Sequence, residues 1–329
     1  MKKILCLVAA LALIAGCDDG DMGYKTFDFS SVEVPTACPN NIDDVSGTTE
    51  TYYKVTGTEA LILVLAKGAL INKSTIDPIT GVDTPLQITL GGSNTLTYYD
   101  FVSKPTGSLC TKSDIPPAKE DGIWTGQGTL SISTSENLDT NTGKLLGYRH
   151  TIILTNVSFN HGDEKITIVE SSFGYVDKDF DFDFKFIAEG ADAPVVNACD
   201  ENSNLIFTMQ SAETLSLNIP NFSEVFDNEI ETDTISIAQN PNYVILFNVY
   251  KSTATKTNVC GQGSEVPSLP IQKWQMIDGN LLVITTETGG IYNHDIYLKD
   301  ASFRNSQGDI FSLNSIVDVG ANGYYFGRL

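Results

Sequence analysis

The chain contains an internal duplication, and this constrains its fold more than any other feature. Cys110 and Cys260 each lie 14 residues before a tryptophan, Trp124 or Trp274, and the 329-residue chain has only these two tryptophans. A shared order of rare residues is typical of a repeated structural unit. We therefore predict two homologous modules of about 150 residues each, a usual size for a domain.

Further matching residues extend the repeat over both halves of the chain. The matches are Phe27-Asp28-Phe29 with Phe182-Asp183-Phe184, Pro35 with Pro194, Cys38 with Cys199, Glu59 with Glu213, Tyr148 with Tyr292, and His150 with His294. They indicate a boundary near residue 177. We expect the first module over residues 24–176 and the second over residues 177–329.

The local patterns are those of β-strands. Leu215, Leu217 and Ile219 alternate with polar residues, and this period of two turns one side of a strand inward. Short β-rich runs such as Leu281–Ile284 are bounded by Gly, Asn, Asp and Pro, and no stretch has a sustained helical period. Each module is therefore predicted to be an all-β, antiparallel β-sandwich, with jelly-roll topology as one variety.

The N-terminal residues have the pattern of a lipoprotein signal peptide. Two lysines precede an apolar run, Ile4–Ile14, and two small residues, Ala15 and Gly16, come directly before Cys17. The run is too short to span a membrane, and small residues are typical of a signal cleavage site. We expect residues 1–16 to be removed and Cys17 to carry the lipid. An ordinary secretory signal with an incidental cysteine is the alternative.

An acidic stretch, Asp18-Asp19-Gly20-Asp21, follows the cysteine. This opening resembles that of Bacteroidetes-type envelope lipoproteins, in which acidic residues behind the lipidated cysteine accompany export to the outer face of the outer membrane. The resemblance covers the anchor and tether (residues 17–23) well and the body loosely, and it brings no catalytic residues. It implies a surface-exposed, lipid-anchored protein. An aspartate after the cysteine signals inner-membrane retention in enterobacteria, so an inner-membrane or periplasm-facing location stays open.

Cysteine usage fits an exported protein. One cysteine lies in the signal peptide and Cys17 takes the lipid, which leaves four cysteines for the body. In an oxidising compartment these are expected to form disulfides, for which three pairings exist. The duplication favours Cys38 with Cys110 and Cys199 with Cys260, because each bridge then closes a loop within its own module. Pairing across the modules is the alternative.

Two matched sets of polar residues are the candidate functional site. They are Glu59, Tyr148 and His150 in the first module and Glu213, Tyr292 and His294 in the second. By strand alternation each histidine lies on the same face as its tyrosine, and each glutamate lies on the same face as the inward leucines of its strand. The three side chains could therefore converge at one end of a module. The alternative is a buried neutral histidine with a structural role. One histidine per module is too few for a typical zinc site.

Two acidic patterns resemble calcium motifs and are interpreted otherwise. Aspartates alternate with phenylalanines over residues 177–186, but alternate strand residues lie about 7 Å apart, too far to wrap one ion. We expect a strand with Phe inside and Asp outside. Asp139–Gly143 begins like an EF-hand loop, but Gly143 and Lys144 then break the pattern, and a hairpin loop is predicted.

One strand differs between the copies. Ala60, Ile62 and Val64 stand where the second module has polar residues, so this strand is apolar on both faces and must be covered. Our hypothesis is that this face packs against the second module or a partner. The alternative is that a loop or extra strand of the first module covers it.

Composition and motifs favour a binding or structural protein. The formal net charge of −21 argues against a nucleic-acid partner, because Lys and Arg bind phosphates. No nucleophile elbow, zinc-protease helix, phosphate loop or dinucleotide fingerprint occurs, and we expect neither cofactor nor metal. We predict a non-catalytic envelope lipoprotein with a glycan or protein ligand or an accessory role. An envelope hydrolase with its site in loops or between the modules is the alternative.

Overall fold

The computed structural model describes residues 27–38, 48–77, 79–200, 203–261 and 269–329. Within these ranges the regular secondary structure is almost entirely antiparallel strand, in two separate sheets, which confirms the predicted all-β class. In this part of the chain, no helix combines the length and apolar character needed to cross a membrane.

The first sheet has eight strands. They are β1 Thr36–Ala37, β2 Thr49–Thr56, β3 Glu59–Ala66, β4 Leu86–Thr89, β5 Thr95–Phe101, β6 Ala118–Leu138, β7 Leu145–His161 and β8 Glu164–Asp179. The hydrogen-bonded order is β1-β2-β3-β5-β6-β7-β8, and β4 pairs with the second half of β6. A short 3-10 helix, Lys112–Asp114, lies between β5 and β6.

The second sheet has nine strands and three short helices accompany it. The strands are β9 Asn197–Ala198, β10 Leu205–Gln210, β11 Glu213–Asn218, β12 Thr232–Ser236, β13 Val244–Val249, β14 Gln272–Thr288, β15 Ile291–Asn305, β16 Ile310–Ser312 and β17 Tyr324–Arg328. The helices are α1 Phe222–Val225, α2 Lys256–Cys260 and α3 Leu313–Ile316. The order is β16-β15-β14-β13-β11-β10-β9, with β12 on β14 and β17 on β15.

The two sheets have the same topology, as the duplication predicts. Strands β1 to β7 correspond one by one to β9 to β15, and only the last element differs, since β8 is continuous whereas β16 and β17 are separated by α3. Consecutive strands pair throughout, apart from β4, β12 and β17, so each sheet is mainly a meander and not the jelly-roll variety. The predicted boundary near residue 177 lies inside β8, which ends at Asp179.

Each sheet folds over its own core because its longest strands bend at matched bulges. In the first module, Gly128 on β6 has φ +141 and lies opposite Asn156 on β7, which also has positive φ. A Cβ atom on Gly128 would lie 2.6 Å from the Asn156 carbonyl oxygen, so only glycine allows this approach. Gly279 and Asp300 repeat the arrangement in the second module. The bent sheet halves give each module a sandwich-like form.

Equivalent phenylalanines fill the two cores, but the residues that correspond between the modules differ from the predicted ones. Tyr98 and Phe247 occupy equivalent positions, since each pairs with the tryptophan of its module. The Phe27 ring lies 4.3 Å from that of Tyr98, and the Phe184 ring 4.7 Å from that of Phe247. Both phenylalanines have positive φ, 44° and 49°. Phe27 therefore corresponds to Phe184, and its predicted match with Phe182 is wrong by two residues.

The segment over residues 180–186 joins the modules and is not a regular strand, contrary to the prediction. Its alternation is nevertheless as expected, with phenylalanines turned inward and the intervening residues exposed. Phe180 lies between the modules, because its ring is 6.0 Å from Tyr148 in the first module and 5.9 Å from Trp274 in the second.

The doubly apolar strand of the first module is covered by that module itself. Ala60 and Ile62 form a small separate core with Phe101, Leu109 and partly buried Ile115, which lie at the end of β5 and in the connection to β6. The hypothesis that this face packs against the second module or a partner is therefore wrong. The loop alternative is confirmed, because a long connection tied down by a disulfide can shield the face.

Candidate functional site

Both disulfides pair as the duplication predicts. Cys38 is bonded to Cys110 and Cys199 to Cys260, with Cα atoms 5.5 Å apart in each case. Each bridge joins the end of the short first strand of a module to the long connection before β6 or β14, and in the first module this connection covers the outer face. The predicted lipidation residue, Cys17, lies outside the described residues.

His150 is fully buried between two side-chain partners. Its Nε2 atom lies 3.0 Å from Asn72 Oδ1, and its Nδ1 atom lies 2.9 Å from Thr134 Oγ1. Because Asn72 Oδ1 can only accept, Nε2 carries the proton and Nδ1 accepts from the threonine hydroxyl. Burial, with a smaller contribution from nearby Lys178, lowers the pKa of His150 to about 4. This histidine is therefore neutral and structural near pH 7.

His294 repeats half of this arrangement. Its Nδ1 atom lies 2.9 Å from Thr285 Oγ1, the counterpart of Thr134, and its ring meets that of Phe226 edge-on at 5.4 Å. Burial lowers the pKa of His294, and nearby Asp227 opposes the shift. The second partner that Asn72 gives His150 has no counterpart here among the described contacts of His294. Tyr292 is half-buried on β15, opposite Glu287.

The two matched glutamates also make structural hydrogen bonds. Glu59 accepts a short hydrogen bond from the Tyr98 hydroxyl, and burial raises the pKa of that tyrosine. Glu213 accepts hydrogen bonds from the backbone N–H groups of Asp183 and Lys185, at 2.8 and 3.3 Å. It thereby holds the segment that delivers Phe184 to the core. Burial raises the pKa of the Glu213 carboxyl group although these backbone bonds oppose the shift.

The predicted convergence of Tyr, His and Glu is not formed. Tyr98, the partner of Glu59, pairs with Trp124 on β6, whereas His150 pairs with Thr134, ten residues further along that strand. The Gly128 bulge lies between these two positions, so the glutamate and the histidine are aligned with different halves of the bent strand and have different hydrogen-bond partners. The alternation of side chains along a strand predicted the face on which each residue lies. It could not predict how far along the module the residue lies.

Asn72 joins the two modules. Its backbone N–H donates to Asp309 Oδ1 at 2.6 Å, and its carbonyl oxygen accepts from the Ile310 N–H at 2.9 Å. Its side chain lies within the first module, where Oδ1 accepts from His150 and Nδ2 donates to the Lys178 carbonyl oxygen at 3.3 Å. All four polar groups of this buried residue are thus used, two in each module. We call this set of contacts the Asn72 junction.

Further contacts reinforce the Asn72 junction. The buried Tyr148 donates its hydroxyl hydrogen bond to the Ile310 carbonyl oxygen at 3.1 Å, and burial raises the pKa of this tyrosine to about 12. Lys144 forms an ion pair with Asp318 at 2.6 Å across the same boundary. Of the predicted site residues, Tyr148 and His150 are therefore brought together, with a structural role.

A cleft of about 300 Å³ lies beside the Asn72 junction, between the modules. Its walls include Lys67, Gly68 and Lys178 from the first module, Lys273, Trp274, Asn305, Ser306, Gln307 and Asp309 from the second, and Asp181 from the joining segment. The walls approach closely where the Gln307 side chain packs over Gly68: a Cβ atom there would lie 2.6 Å from Gln307 Oε1.

The carboxylates of the cleft are mostly occupied. Glu50 pairs with Lys178 at 3.1 Å, Asp309 accepts from Asn72 and from Asn305 Nδ2, and Asp179 accepts from Asn137 Nδ2 at 3.1 Å. Asp181 is exposed, and its carboxylate makes no such bond to any residue that the structure describes. The cleft therefore offers a mixture of free donors and acceptors rather than two free acids.

The calcium-like patterns have structural explanations, and one other acidic group exists. Asp139 Oδ1 accepts from the backbone of Asn141 and Thr142 in the loop between β6 and β7, which confirms the predicted hairpin. Among the described residues, Asp227, Glu229 and Glu231 place carboxylate oxygens within 4.8 Å of one another. Such a group could hold a hard cation, and repulsion, chiefly from Asp233, raises the pKa of Glu231.

Sequence reasoning missed Asn72 and Asp309, because asparagine and aspartate are common surface residues and these two are 237 positions apart. The duplication was the one relevant signal, since it implies that two tandem copies are in contact, but it does not indicate which residues form the contact. No protein-family model, curated protein or solved structure matches this chain. We therefore infer function from the geometry of the chain itself.

Proposed function

We propose that this chain is a lipid-anchored outer-membrane protein whose body binds a glycan, without catalysis, in the cleft between its modules. The observation that carries the proposal is the Asn72 junction, which fixes the walls of the cleft. A preformed site loses less conformational entropy on binding than a flexible one. Ligand sites are also common where two domains meet.

The use of the matched polar residues supports binding over catalysis. A general acid or base must reach a reacting group with a proton to give or accept. Both ring nitrogens of His150 are hydrogen-bonded, to Asn72 and Thr134, and the Glu213 carboxylate accepts hydrogen bonds from the backbone of the joining segment. Glycosidases generally need two suitably placed carboxylates, and among the described residues of the cleft Asp181 is the one carboxylate without a structural bond.

The free groups of the cleft favour a neutral glycan. Lys67 and Lys273 donate, Asp181 accepts, and Ser306 and Gln307 can do both. Sugar hydroxyl groups also donate and accept, so they can form hydrogen bonds with both kinds of group in this mixture. The chain's net charge of −21 disfavours acidic polymers.

The anchor supports the location. Cys17 follows a short signal peptide and precedes an acidic stretch, as in the surface-exported lipoproteins that this opening resembles. Several acyl chains hold a protein at a membrane far more firmly than one, because each buried methylene contributes about 0.8 kcal/mol. A lipid tether would leave the body free to reach a polymer outside the cell.

Affinity gel electrophoresis tests binding at the cleft. The purified chain in detergent is run through gels containing a β-glucan, a xylan or a galactomannan, beside the variant Ser306→Ala/Gln307→Ala. We expect at least one polysaccharide to retard the native chain, and the variant to need about tenfold more polymer, since a lost pair of hydrogen bonds to polar partners costs about 1.4 kcal/mol or more. The matched control, Ser252→Ala/Thr253→Ala, changes exposed residues elsewhere and should behave like the native chain.

The same samples distinguish binding from hydrolysis. New reducing ends that vanish in the variant Asp181→Asn would establish a hydrolase and contradict the non-catalytic proposal. Retardation without new reducing ends supports it. If no polysaccharide retards the chain, or if a protein ligand alone is captured at the cleft, glycan binding there is wrong.

A further inference from the structure

A second depression lies on the second module, away from the cleft. It has a volume of about 400 Å³ and is formed by α1, β12, the turn between β12 and β13, and one residue of β14. The polar side chains around it are Asn221, Glu224, Asp233, Gln239, Asn240 and Asn280, with Tyr243 at one side. Neither lysine nor arginine lines it in the described part of the chain.

Part of this rim is held in a fixed orientation. Tyr243 donates a short hydrogen bond from its hydroxyl to Asn221 Oδ1, and Asn221 Nδ2 donates to Glu224 Oε2 at 3.0 Å. Asn240 Nδ2 donates to the Ser236 carbonyl oxygen at 2.8 Å, which fixes the turn. Such bonds settle which way each amide faces and leave further lone pairs of Glu224 available.

Three other side chains at this depression have no hydrogen-bond partner among the described residues. The side chains of Asp233, Gln239 and Asn280 make no hydrogen bond in the described structure, although Asp233 and Asn280 are only partly exposed. Together they offer two amide donors and several acceptors around one concave surface. A ligand could therefore satisfy these groups without displacing any bond that holds the fold.

We propose that this depression binds a neutral saccharide, with the amides of Gln239 and Asn280 donating to ring or hydroxyl oxygens and the carboxylates of Asp233 and Glu224 accepting from hydroxyl groups. Hydrogen bonds to ionised acceptors are the stronger kind, and a carboxylate can accept from two neighbouring hydroxyl groups at once. Two carboxylates without a facing cation disfavour phosphate, sulfate and uronic-acid ligands. This site does not depend on the cleft between the modules.

The first module provides an internal comparison. β4 pairs with β6 as β12 pairs with β14, and this register makes Leu86 the counterpart of Asp233 and Thr129 the counterpart of Asn280. The duplicated fold is therefore compatible with an apolar residue and a threonine at these positions. The polar pair is a property of the second module alone, and exchanging it should leave the sheet intact.

Affinity gels with neutral polymers (a β-glucan, a xylan, a galactomannan and an α-mannan) and with anionic polygalacturonate test the proposal on the full chain in detergent. The double variant Asp233→Leu/Asn280→Thr installs the residues of the first module. A second variant, Gln239→Ala, removes an exposed amide and serves as the test if the double variant does not fold. We expect retardation by a neutral polymer and a loss of at least tenfold in either variant. The control Gln87→Ala/Thr129→Ala, on the first module, should change nothing.

Two results would overturn this proposal. One is the absence of retardation by any neutral polymer, including the case in which polygalacturonate alone retards the chain. The other is retardation that neither variant reduces. The cleft variant Ser306→Ala/Gln307→Ala separates the two sites. If it abolishes all retardation while Asp233→Leu/Asn280→Thr has no effect, the cleft is supported and this second site is wrong; the reverse pattern supports this site and removes the cleft.

Discussion

His150 in the first module has two side-chain hydrogen-bond partners, whereas its counterpart His294 in the second has one among the described contacts. The shared partner is a threonine on the neighbouring strand, and the additional one is Asn72, whose backbone bonds the second module. A duplicated position has thus kept its core interaction and gained a role at the boundary in one copy only. The shared contact therefore belongs to the fold that both copies have, and the contact found in one copy belongs to the junction between them.

The inner core positions next to β3 and β11 also differ between the copies. Lys54 pairs with Leu61 across the strands as Thr208 pairs with Leu215, so the two are counterparts. Lys54 is almost fully buried, with its Nζ atom 5.8 Å from the centre of the Phe173 ring, and the Thr208 hydroxyl is buried without a partner. Both copies therefore tolerate a costly polar group at the same place.

The largest expected effects concern the phenylalanine register. Phe27→Ala and Phe184→Ala should each lower the free energy of unfolding by about 3 to 5 kcal/mol, because each empties the centre of a core. Phe182→Ala, at a partly buried position, should cost clearly less. Chemical denaturation followed by tryptophan fluorescence measures all three. A larger loss for Phe182→Ala than for Phe184→Ala would contradict the structural alignment of the copies.

Acid should weaken the first module through His150. Its pKa is about 4 in the folded chain and near 6.5 when unfolded, so the unfolded state binds more protons in this window. Stability is then complete above pH 6.5 and falls by up to about 3 kcal/mol as the pH drops to 4. Hydrogen exchange of β7 peptides at several pH values measures this.

The matched control for this acid effect is β15, which carries His294. Its pKa is also lowered, but the residue has one partner fewer, so we expect a smaller acid-induced loss of protection there. The variant His150→Gln should flatten the pH dependence of β7 alone. Equal acid sensitivity of β7 and β15 in the native chain would remove the distinction between the two histidines.

Removing the Asn72 side chain should cost about 2 kcal/mol, because it breaks two hydrogen bonds and leaves a His150 donor buried without an acceptor. The backbone bonds to Asp309 and Ile310 would remain. Asp309→Ala instead removes the acceptor from the second module. Both variants should weaken the retardation that depends on the cleft. Unfolding curves measure the loss of stability, and cross-linking of Lys144 to Asp318 measures whether the two modules are still in contact. Unchanged cross-linking in Asp309→Ala would show that the junction rests on other contacts.

The smallest effects concern Lys54 and Thr208. Burial lowers the pKa of Lys54, so the unfolded chain binds the extra proton and stability should rise as the pH approaches 10.5. Lys54→Met should abolish this rise and stabilise the first module by about 1 kcal/mol near pH 7, and Thr208→Val should stabilise the second by a similar amount. Calorimetry of both variants between pH 7 and 10 checks this. A destabilised Lys54→Met would mean that the ammonium group has a favourable role.

Rare residues made much of the fold predictable from the sequence. Cysteines, tryptophans and histidines occur so seldom that their shared spacing identified the copies, and with them both disulfides. Phenylalanine failed as a marker, because alternating Phe and Asp over residues 180–186 allow several registers two residues apart. The position of Phe184 became clear only from its backbone conformation and ring contacts.

The cleft and the second depression could not be predicted from the sequence, for a different reason. Their walls consist of common polar residues, such as Asn305, Gln307 and Asn280, brought together from distant strands. Period-two alternation gives the face on which a side chain lies, but not its neighbours across strands. The covered face around Ile62 illustrates the same limit, since nothing local indicated that Leu109 would shield it.

The central proposal is that Cys17 holds this two-module body on the outer cell surface. Protease treatment of intact cells making the native chain, beside cells making Cys17→Ala, tests it most directly. We expect the native body to be cut from whole cells with the outer membrane intact, and the variant to be absent from the membrane fraction. If the native body is protected until the outer membrane is opened, surface binding is wrong and a periplasmic ligand must be sought.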